Sequence, residues 1–226
     1  MLDNQLGMFD VLPAPEREAL MKHARHVRFP KSSYLYHEGQ SGESMFVLTS
    51  GRVGIWTGGE RGRPTLVNTV GPSEVLGEMA ILGSEHTRIA TIQALTDVRA
   101  IQLDGRDIRS VLDRRPRTYL LFIEVLIRRV QQLTTQLGEF AELDGTTRVY
   151  RQLCALADTG EDGSPSTTLP VAQHHLASLA GVSLRLASDV LTSARQAGLI
   201  RTGRGEIVIL DLPEVRRRAG LASRTL

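Results

Sequence analysis

The sequence predicts an α+β protein made of three successive parts: an antiparallel β-roll, a long coiled-coil helix and a winged helix-turn-helix. The β-roll is indicated by short apolar runs, separated by glycines, between residues 27 and 103. The long helix is indicated by an unbroken heptad repeat over residues 116–141, and the helix-turn-helix by two helical segments that a glycine turn joins at 180–183. Because these periodicities differ, the 226 residues are expected to form more than one structural unit.

The first part is predicted to begin with short helices over residues 1–26, one of which starts near Pro13. Many short strands with closely spaced turn signals, as over residues 27–103, are typical of an antiparallel roll or barrel. The predicted strands are 33–36, 45–48, 53–56, 65–70, 89–94 and 98–103, with separators that include Gly39, Gly42, Gly51, Gly58, Gly59, Gly62 and Gly71. A short helix over 107–112 is expected to follow.

The apolar residues of the long helix are spaced alternately by four and three positions. They are Tyr119, Ile123, Leu126, Val130, Leu133, Leu137 and Phe140. Such an a/d seam is typical of a helix that packs along a partner helix, so it predicts a two-stranded parallel coiled coil and a homodimer. The alternative is an amphipathic helix lying on its own domain, although such helices usually carry a broader apolar stripe. Polar residues off the seam, Arg128 and Arg129 among them, are expected to face solvent.

The last part begins with Asp144, a good N-cap for a helix over 146–157. A polar loop over 158–168 precedes two predicted helices, 171–179 and 184–197. Gly181 suits the left-handed position of the turn between them, and Ser183 suits the N-cap of the second helix. This arrangement is the helix-turn-helix signature. Two strands around a glycine turn, 199–201 and 207–210, are predicted to form a wing, and 213–219 a final short helix.

Charge is distributed unevenly along the chain. Residues 145–226 hold 10 arginines and 7 acidic residues, net +3, whereas the rest holds 17 basic and 18 acidic residues, net −1. The C-terminal part is therefore the expected docking place of an anionic partner. The single cysteine, Cys154, excludes an intramolecular disulfide and a four-cysteine cluster. The sequence shows neither a signal peptide nor an apolar run long enough to span a bilayer, so a cytoplasmic protein is expected.

The order of these parts resembles the cyclic-AMP receptor protein/fumarate–nitrate regulator (Crp/Fnr) family of bacterial transcription regulators. The motif that carries the resemblance best is the segment 77–82, Gly-Glu-Met-Ala-Ile-Leu, followed by 88–94, Arg-Ile-Ala-Thr-Ile-Gln-Ala. It is similar to the phosphate-binding cassette of the family. The resemblance implies an effector-sensing roll of the cyclic-nucleotide-binding type at 1–115, a dimerisation helix and hinge at 116–143, and a DNA-binding domain at 144–226. It implies a homodimeric regulator, not an enzyme, that reads an inverted repeat and contacts RNA polymerase.

The cassette has a physical logic of its own. A glycine that leads into a helical turn lets backbone N–H groups point at an anion, and Arg88 offers a charged fork for phosphate oxygens. By resemblance, Glu78 would accept a hydrogen bond from a sugar hydroxyl and Arg88 would bind a cyclic phosphate. The effector would then be cyclic AMP or another cyclic nucleotide, with no obligatory cofactor. The alternative is a structural ion pair between Glu78 and Arg88. The expected effector-binding residues are Gly77, Glu78, Met79, Ala80, Arg88, Ile89 and Thr134.

Two positions of the site depart from the pattern of the cyclic-AMP receptors. Ile89 stands where the bacterial receptor has a serine whose hydroxyl reaches the phosphate, but cyclic-nucleotide-binding domains of kinase regulatory subunits have alanine there, so a backbone N–H could suffice. On the long helix, the two hydroxyl residues that receive adenine are replaced by Leu133 and Thr134, so one hydroxyl is lost. The residues expected to bind the phosphate and the sugar are therefore present, whereas one of the two hydroxyls expected to bind the base is missing.

The helix-turn-helix departs as well. Many relatives begin the recognition helix with Ser-Arg-Glu-x-x-x-Arg, whereas here Ser183 is followed by Leu184 and Arg185, and Asp189 replaces the second arginine. We expect Arg185 to read a base, although Asp189 could hold it instead, and the helix pair could alternatively serve protein contacts only. The expected DNA-binding residues are His174, Ser183, Leu184, Arg185, Ser188, Thr192, Arg201 and Arg204.

The sequence leaves two other functional classes open. Glu78 and Arg88 could belong to a nucleotide hydrolase, but the sequence lacks paired carboxylates, a nucleophile–base arrangement and a metal-ligand cluster. The same architecture could also act constitutively, or sense haem or another metabolite without a cyclic nucleotide. None of the six histidines lies in a spacing that demands a metal.

Overall fold

The computed structural model describes residues 13–58, 64–158 and 166–221. Several predicted features lie outside these ranges: the apolar residues Leu6, Met8, Phe9 and Leu12, the separators Gly59 and Gly62, most of the loop 158–168, and the tail after 221.

The N-terminal part is an antiparallel roll, as the glycine-punctuated pattern predicts. The elements in chain order are α1 (Ala14–Met21), β1 (Arg25–Phe29), β2 (Tyr34–Tyr36), β3 (Ser44–Ser50), β4 (Val53–Gly58), β5 (Pro64–Val70), β6 (Val75–Leu76), α2 (Glu78–Leu82), β7 (Thr91–Ala94), β8 (Val98–Asp104) and α3 (Gly105–Arg114). The two four-stranded sheets have the strand orders β1-β8-β3-β6 and β2-β7-β4-β5. Two strands, β1 and β6, were not predicted.

Apolar side chains from both sheets fill the interior of the roll. In the first sheet Met45 and Val47 of β3 and Ile101 and Leu103 of β8 are buried with the apolar face of α3. A second cluster, which contains Phe46 of β3, packs between the two sheets. Met45, Phe46, Val47 and Leu48 of β3 are all buried, because this strand has a core on each of its two faces.

The long helix, α4, spans Tyr119–Glu142 and follows a 3-10 turn at Pro116–Thr118. Phe122 is buried against the roll, whereas six of the seven seam residues are exposed, Val130 at 61% and Leu137 at 68%. The seam as a whole therefore does not lie on the chain's own domains, which contradicts that alternative. Pairing with a second chain stays a prediction. The expectation that all off-seam charges face solvent is wrong for Arg129, which turns back to the roll.

The C-terminal part is a winged helix-turn-helix. Asp144 caps the first helix of this part as predicted, because its carboxylate accepts hydrogen bonds from the Thr147 backbone N–H at 3.0 Å and hydroxyl at 2.9 Å. The elements are α5 (Gly145–Asp158), β9 (Thr168–Leu169), α6 (Gln173–Leu179), α7 (Leu184–Gln196), β10 (Ile200–Gly203), β11 (Glu206–Ile209) and α8 (Leu212–Arg218). The wing sheet has the order β10-β11-β9, so the unpredicted strand β9 adds a third strand where a loop was expected.

Candidate effector site and nucleic-acid interface

The effector site is built around Gly77, where β6 ends and α2 begins. Its backbone is left-handed, with φ of 88°, and a Cβ at this position would collide with the Arg88 guanidinium. Glycine is therefore required twice, by the backbone conformation and by the close approach of the arginine.

Arg88 is held almost out of solvent, with 4% of the residue exposed. Its Nη2 donates to the Ser44 carbonyl at 2.7 Å, its Nη1 donates to the Gly77 carbonyl at 3.3 Å, and its Cζ lies 4.1 Å from the ring centroid of Tyr36. Its Nε is buried and has no hydrogen-bond partner among the residues that are described. Burial lowers the pKa of Arg88, and nearby Tyr36 and Glu78 oppose that effect. A guanidinium with a spare donor in this setting is a fitting receptor for an anion.

Glu78 does not pair with Arg88, so the predicted alternative of an ion pair between them is not what the structure contains. Its carboxylate, in a residue that is 1% exposed, instead accepts a hydrogen bond of 2.5 Å from Nη1 of Arg129 on α4. Nη2 of Arg129 reaches the Val75 carbonyl at 3.4 Å. Burial raises the pKa of Glu78, and the charge of Arg129 opposes the rise. Sequence analysis missed Arg129 because the heptad pattern does not tell which off-seam flank faces the roll.

These side chains line a cavity of about 60 Å³ between the roll and α4. The cavity brings together six of the seven predicted effector residues with Tyr36 and Arg129: Gly77, Glu78, Met79, Ala80, Arg88 and Ile89. Ile89 is 63% exposed. Thr134 does not line the cavity, and its hydroxyl donates to the Val130 carbonyl one turn back at 2.9 Å.

The predicted DNA-binding residues lie on the recognition helix, the wing and the start of α6. Ser183 caps α7, since its Oγ accepts from the Leu186 backbone N–H at 3.2 Å. Leu184 and Arg185 are exposed at the N-terminal end of α7, Ser188 and Thr192 are half-buried further along it, and the opposite face is buried. Arg201 and Arg204 are exposed on the wing, and His174 is exposed in the first turn of α6. Within the described ranges Arg185 forms no ion pair with Asp189, so it is not held by that neighbour.

A hinge joins α4 to the helix-turn-helix. Arg148 donates three hydrogen bonds to backbone carbonyls: to Leu143 at 2.7 Å, to Ala180 at 2.9 Å and to Gly181 at 3.2 Å. The ring of Phe140 packs on Gly181, where a Cβ would collide with it, and φ of Gly181 is 59° as the sequence predicts for a left-handed turn. One arginine therefore ties the end of the long helix to the turn of the DNA-binding motif.

Comparison with known proteins finds two family matches. A cyclic nucleotide-binding domain family matches residues 26–115, and a Crp-like helix-turn-helix domain family matches residues 147–218. None of the helices in the described ranges is both long and apolar enough to cross a membrane.

The chain is similar over nearly its whole length to a CRP-like cAMP-activated global transcriptional regulator of Mycobacterium tuberculosis, with 30% identity over 216 residues, or 94% of this chain and 96% of that protein. It is 24% identical to the cyclic AMP receptor protein of Thermus thermophilus over 90% of this chain and 92% of that one. The fold is similar to that of the c-di-GMP responsive global regulator CLP of Xanthomonas campestris, with a TM-score of 0.71 and 23% identity over 87% of this chain and 99% of that one. The chain thus belongs to the Crp/Fnr family of transcription regulators, which bind DNA and are not enzymes.

Proposed function

We propose that this regulator is a homodimer controlled by a cyclic nucleotide, such as cyclic AMP, bound between the roll and α4. The observation that carries the proposal is a pair of buried, oppositely charged side chains, Glu78 and Arg88, that line one cavity. Arg129 of the long helix lines the same cavity and pairs with Glu78. The domain limits proposed are 1–115 for sensing, 116–143 for dimerisation and 144–226 for DNA binding.

Each charged group suits a different part of such a ligand. The free Nε of Arg88 and its two terminal nitrogens could donate to phosphate oxygens, for which charge-assisted hydrogen bonds are strong. The carboxylate of Glu78 could accept from a ribose hydroxyl once Arg129 shifts. A cyclic nucleotide carries a phosphate and a ribose hydroxyl on one rigid pair of fused rings. These two groups match an anion receptor, Arg88, and a hydrogen-bond acceptor, Glu78, in one cavity.

Binding must open the site. The present 60 Å³ is far below the roughly 300–1,000 Å³ of ordinary ligand pockets. The ligand therefore has to separate α4 from the roll, and Arg129 is the contact that would yield. An effector that prefers this open arrangement shifts α4, and with it the hinge at Arg148 and the spacing of two recognition helices. Thr134 would approach the base only in the rearranged site.

On the DNA side, a two-fold dimer should read an inverted repeat. Its half-sites should lie one helical turn apart, because helix-turn-helix dimers place their two recognition helices in successive major grooves. Arg185 would contact a base, and Ser183, Leu184, Ser188 and Thr192 would line the groove. Arg201, Arg204 and His174 would contact phosphates. We further propose a cytoplasmic location and RNA polymerase as a partner.

A second candidate is the same regulator without a cyclic nucleotide, either constitutive or responding to haem or another metabolite. The observation in its favour is that Glu78 and Arg88 already have protein partners, in Arg129 and in the carbonyls of Ser44 and Gly77. A site whose charged groups are mostly paired with protein groups does not need a ligand for stability.

Calorimetric titration with cyclic AMP, cyclic GMP and cyclic di-GMP separates the two candidates. The proposal expects heat with at least one nucleotide, and Arg88→Ala should weaken that binding at least tenfold, since a charged hydrogen bond is worth about 1.5–3 kcal/mol. Arg128→Ala, on the exposed flank of the same helix as Arg129, is the control and should bind as the wild type does. Absence of heat with all three nucleotides would favour the second candidate, and a Soret band in the purified protein would identify haem.

A further inference from the structure

Tyr36 is a residue of the effector cavity that the cassette motif does not contain. It is the last residue of β2 and lies opposite Ile92 of β7 in the antiparallel register. Its half-buried side chain lines the same cavity as Glu78, Arg88 and Arg129. Among the described residues that line this cavity, those three are charged, and Tyr36 is the one whose side chain is polar and uncharged.

Two neighbours fix the ring of Tyr36. The ring stacks on that of Phe46, with centroids 6.1 Å apart and an interplanar angle of 28°. The guanidinium of Arg88 lies over the ring of Tyr36, with its Cζ 4.1 Å from the centroid, and a cation is attracted to an aromatic ring in this position. Because the phenol oxygen lies in the plane of the ring, a fixed ring also fixes the position of the hydroxyl.

The protein itself does not use the hydroxyl of Tyr36. Within residues 13–58, 64–158 and 166–221, its side chain makes ring contacts with Phe46 and Arg88 but no hydrogen bond. Burial raises the pKa of Tyr36, and the charges of Arg88, Glu78 and Arg129 act on it as well, so the hydroxyl lies within electrostatic reach of all three. The phenol therefore stays protonated at neutral pH and can donate a hydrogen bond.

An anion bound by Arg88 would supply an acceptor for this donor. The Nε of Arg88 is buried without a hydrogen-bond partner among the described residues, so the guanidinium has a donor left for such an anion. A cyclic phosphate spreads its negative charge over two exocyclic oxygens, which together accept more hydrogen bonds than one guanidinium donates. The next residue along the chain, Ile89, has no hydroxyl, whereas Tyr36 brings one beside Arg88 from strand β2.

We propose that Tyr36 is a phosphate-binding residue of the effector site, whose hydroxyl donates a hydrogen bond to an exocyclic oxygen of the cyclic phosphate that Arg88 binds. This contact rests on the proposed cyclic-nucleotide function and adds to it a residue from outside the cassette. Two donors from different segments of the chain then hold the phosphate, and the ring of Tyr36 keeps Arg88 in place. Because the contact is to the phosphate, it selects a ligand by its charged diester and not by its base.

The substitution Tyr36→Phe removes the hydroxyl and keeps the ring that contacts Phe46 and Arg88. In calorimetric titration of the full chain, whichever of cyclic AMP and cyclic GMP the wild type binds should bind about tenfold more weakly, because a hydrogen bond to a charged acceptor is lost. A tenfold loss corresponds to about 1.4 kcal/mol. Tyr34→Phe is the matched control, since Tyr34 lies on the same strand, is 49% exposed and does not line the cavity; it should bind as the wild type does.

The two phosphorothioate diastereomers of the same nucleotide distinguish a phosphate contact from a structural effect of the substitution. Each diastereomer carries sulfur, a weak hydrogen-bond acceptor, in place of one of the two exocyclic oxygens. The loss caused by Tyr36→Phe should therefore stay at about tenfold for one diastereomer and largely disappear for the other.

The 2′-deoxy form of the nucleotide should show the full loss, because the sugar hydroxyl takes no part in the contact. Wild-type affinity of Tyr36→Phe, an equal loss with both diastereomers, or a loss that vanishes with the 2′-deoxy form would each overturn the contact and leave the proposed function intact. A wild type that binds no cyclic nucleotide would contradict the proposed function itself, and the contact with it.

Discussion

Replacement of Arg129 by methionine tests the link between the long helix and the roll. The substitution keeps most of the side-chain volume but leaves the carboxylate of Glu78, in a residue that is 1% exposed, without its cation. Removal of one partner of a buried ion pair typically costs 3–5 kcal/mol. Because the side chain of Arg129 is 22% exposed, we expect the lower end, about 3 kcal/mol in the free energy of unfolding.

The loss should depend on pH in a definite direction. Burial raises the pKa of Glu78, and Arg129 is the main group that lowers it, so the variant has a carboxyl pKa still higher in the folded chain. A carboxyl whose folded pKa exceeds its unfolded value binds more protons when folded. The variant is therefore least impaired below the unfolded pKa of about 4.3, and it loses stability as the pH rises through the folded pKa.

Urea unfolding at fixed protein concentration measures both effects, at about pH 5 and about pH 8. Arg128→Met is the control, since Arg128 is 60% exposed and lies 3.7 Å from Glu124 in a surface pair worth roughly 0–0.5 kcal/mol. Adding Glu78→Gln to Arg129→Met removes the uncompensated charge, so the pH dependence should vanish. An Arg129→Met loss equal to that of Arg128→Met, or one that is the same at both pH values, would refute the argument that Arg129 compensates a buried carboxylate.

Three further predictions concern dimerisation, DNA recognition and the hinge. Val130→Lys should give monomers by light scattering at micromolar concentration because it places like charges on the predicted seam, whereas Gln131→Lys should not; a monomeric wild type would contradict the dimer. Arg185→Ala should change the half-site that is selected from random DNA, at about 1–3 kcal/mol per half-site, whereas Arg204→Ala should weaken binding to all sequences and flatten its salt dependence; an unchanged motif for Arg185→Ala would exclude it as base reader. Phe140→Ala should free the turn of the helix-turn-helix and speed proteolysis of the hinge without loss of the dimer; unchanged cleavage would show that the ring does not secure the hinge.

Structural features that depend only on neighbouring residues, such as helix caps and tight turns, could be predicted from the sequence. Asp144 and Ser183 cap their helices as predicted, and Gly181 is left-handed, because capping and turn geometry depend on a few adjacent backbone groups. A role for Gly77, the first residue of the cassette, was likewise expected from the chemistry of an anion site, whereas the burial of Arg88 was not predicted.

Structural features that depend on packing between residues far apart in the sequence could not be predicted. β1 is a strand with the sequence Arg-His-Val-Arg-Phe at the edge of its sheet, and only two of its residues, Val27 and Phe29, are apolar and half-buried, which is too short an alternation to mark a strand. β6 and β9 have two residues each, too few for a period. The partner of Glu78 was missed for the same reason, since the helix that supplies Arg129 lies 51 residues further along the chain.

The phase of the long helix explains why one seam residue contacts the chain's own DNA-binding domain. At 100° per residue, Phe140 lies only about 20° around the helix from Arg129, whereas Val130 lies about 100° away. A straight helix drifts about 20° per heptad relative to a strict seven-residue repeat, so the seam turns toward the flank of Arg129 as it approaches its C-terminal end. Phe140 thereby reaches Gly181 on the turn of the helix-turn-helix. Pairing as a coiled coil would underwind α4 and rotate Phe140 back toward the partner helix. In the proposed dimer, the rotation of α4 would therefore set the coiled-coil pairing, the contact of Arg129 with Glu78 and the contact of Phe140 with the DNA-binding turn, and a ligand that displaced Arg129 would act on all three.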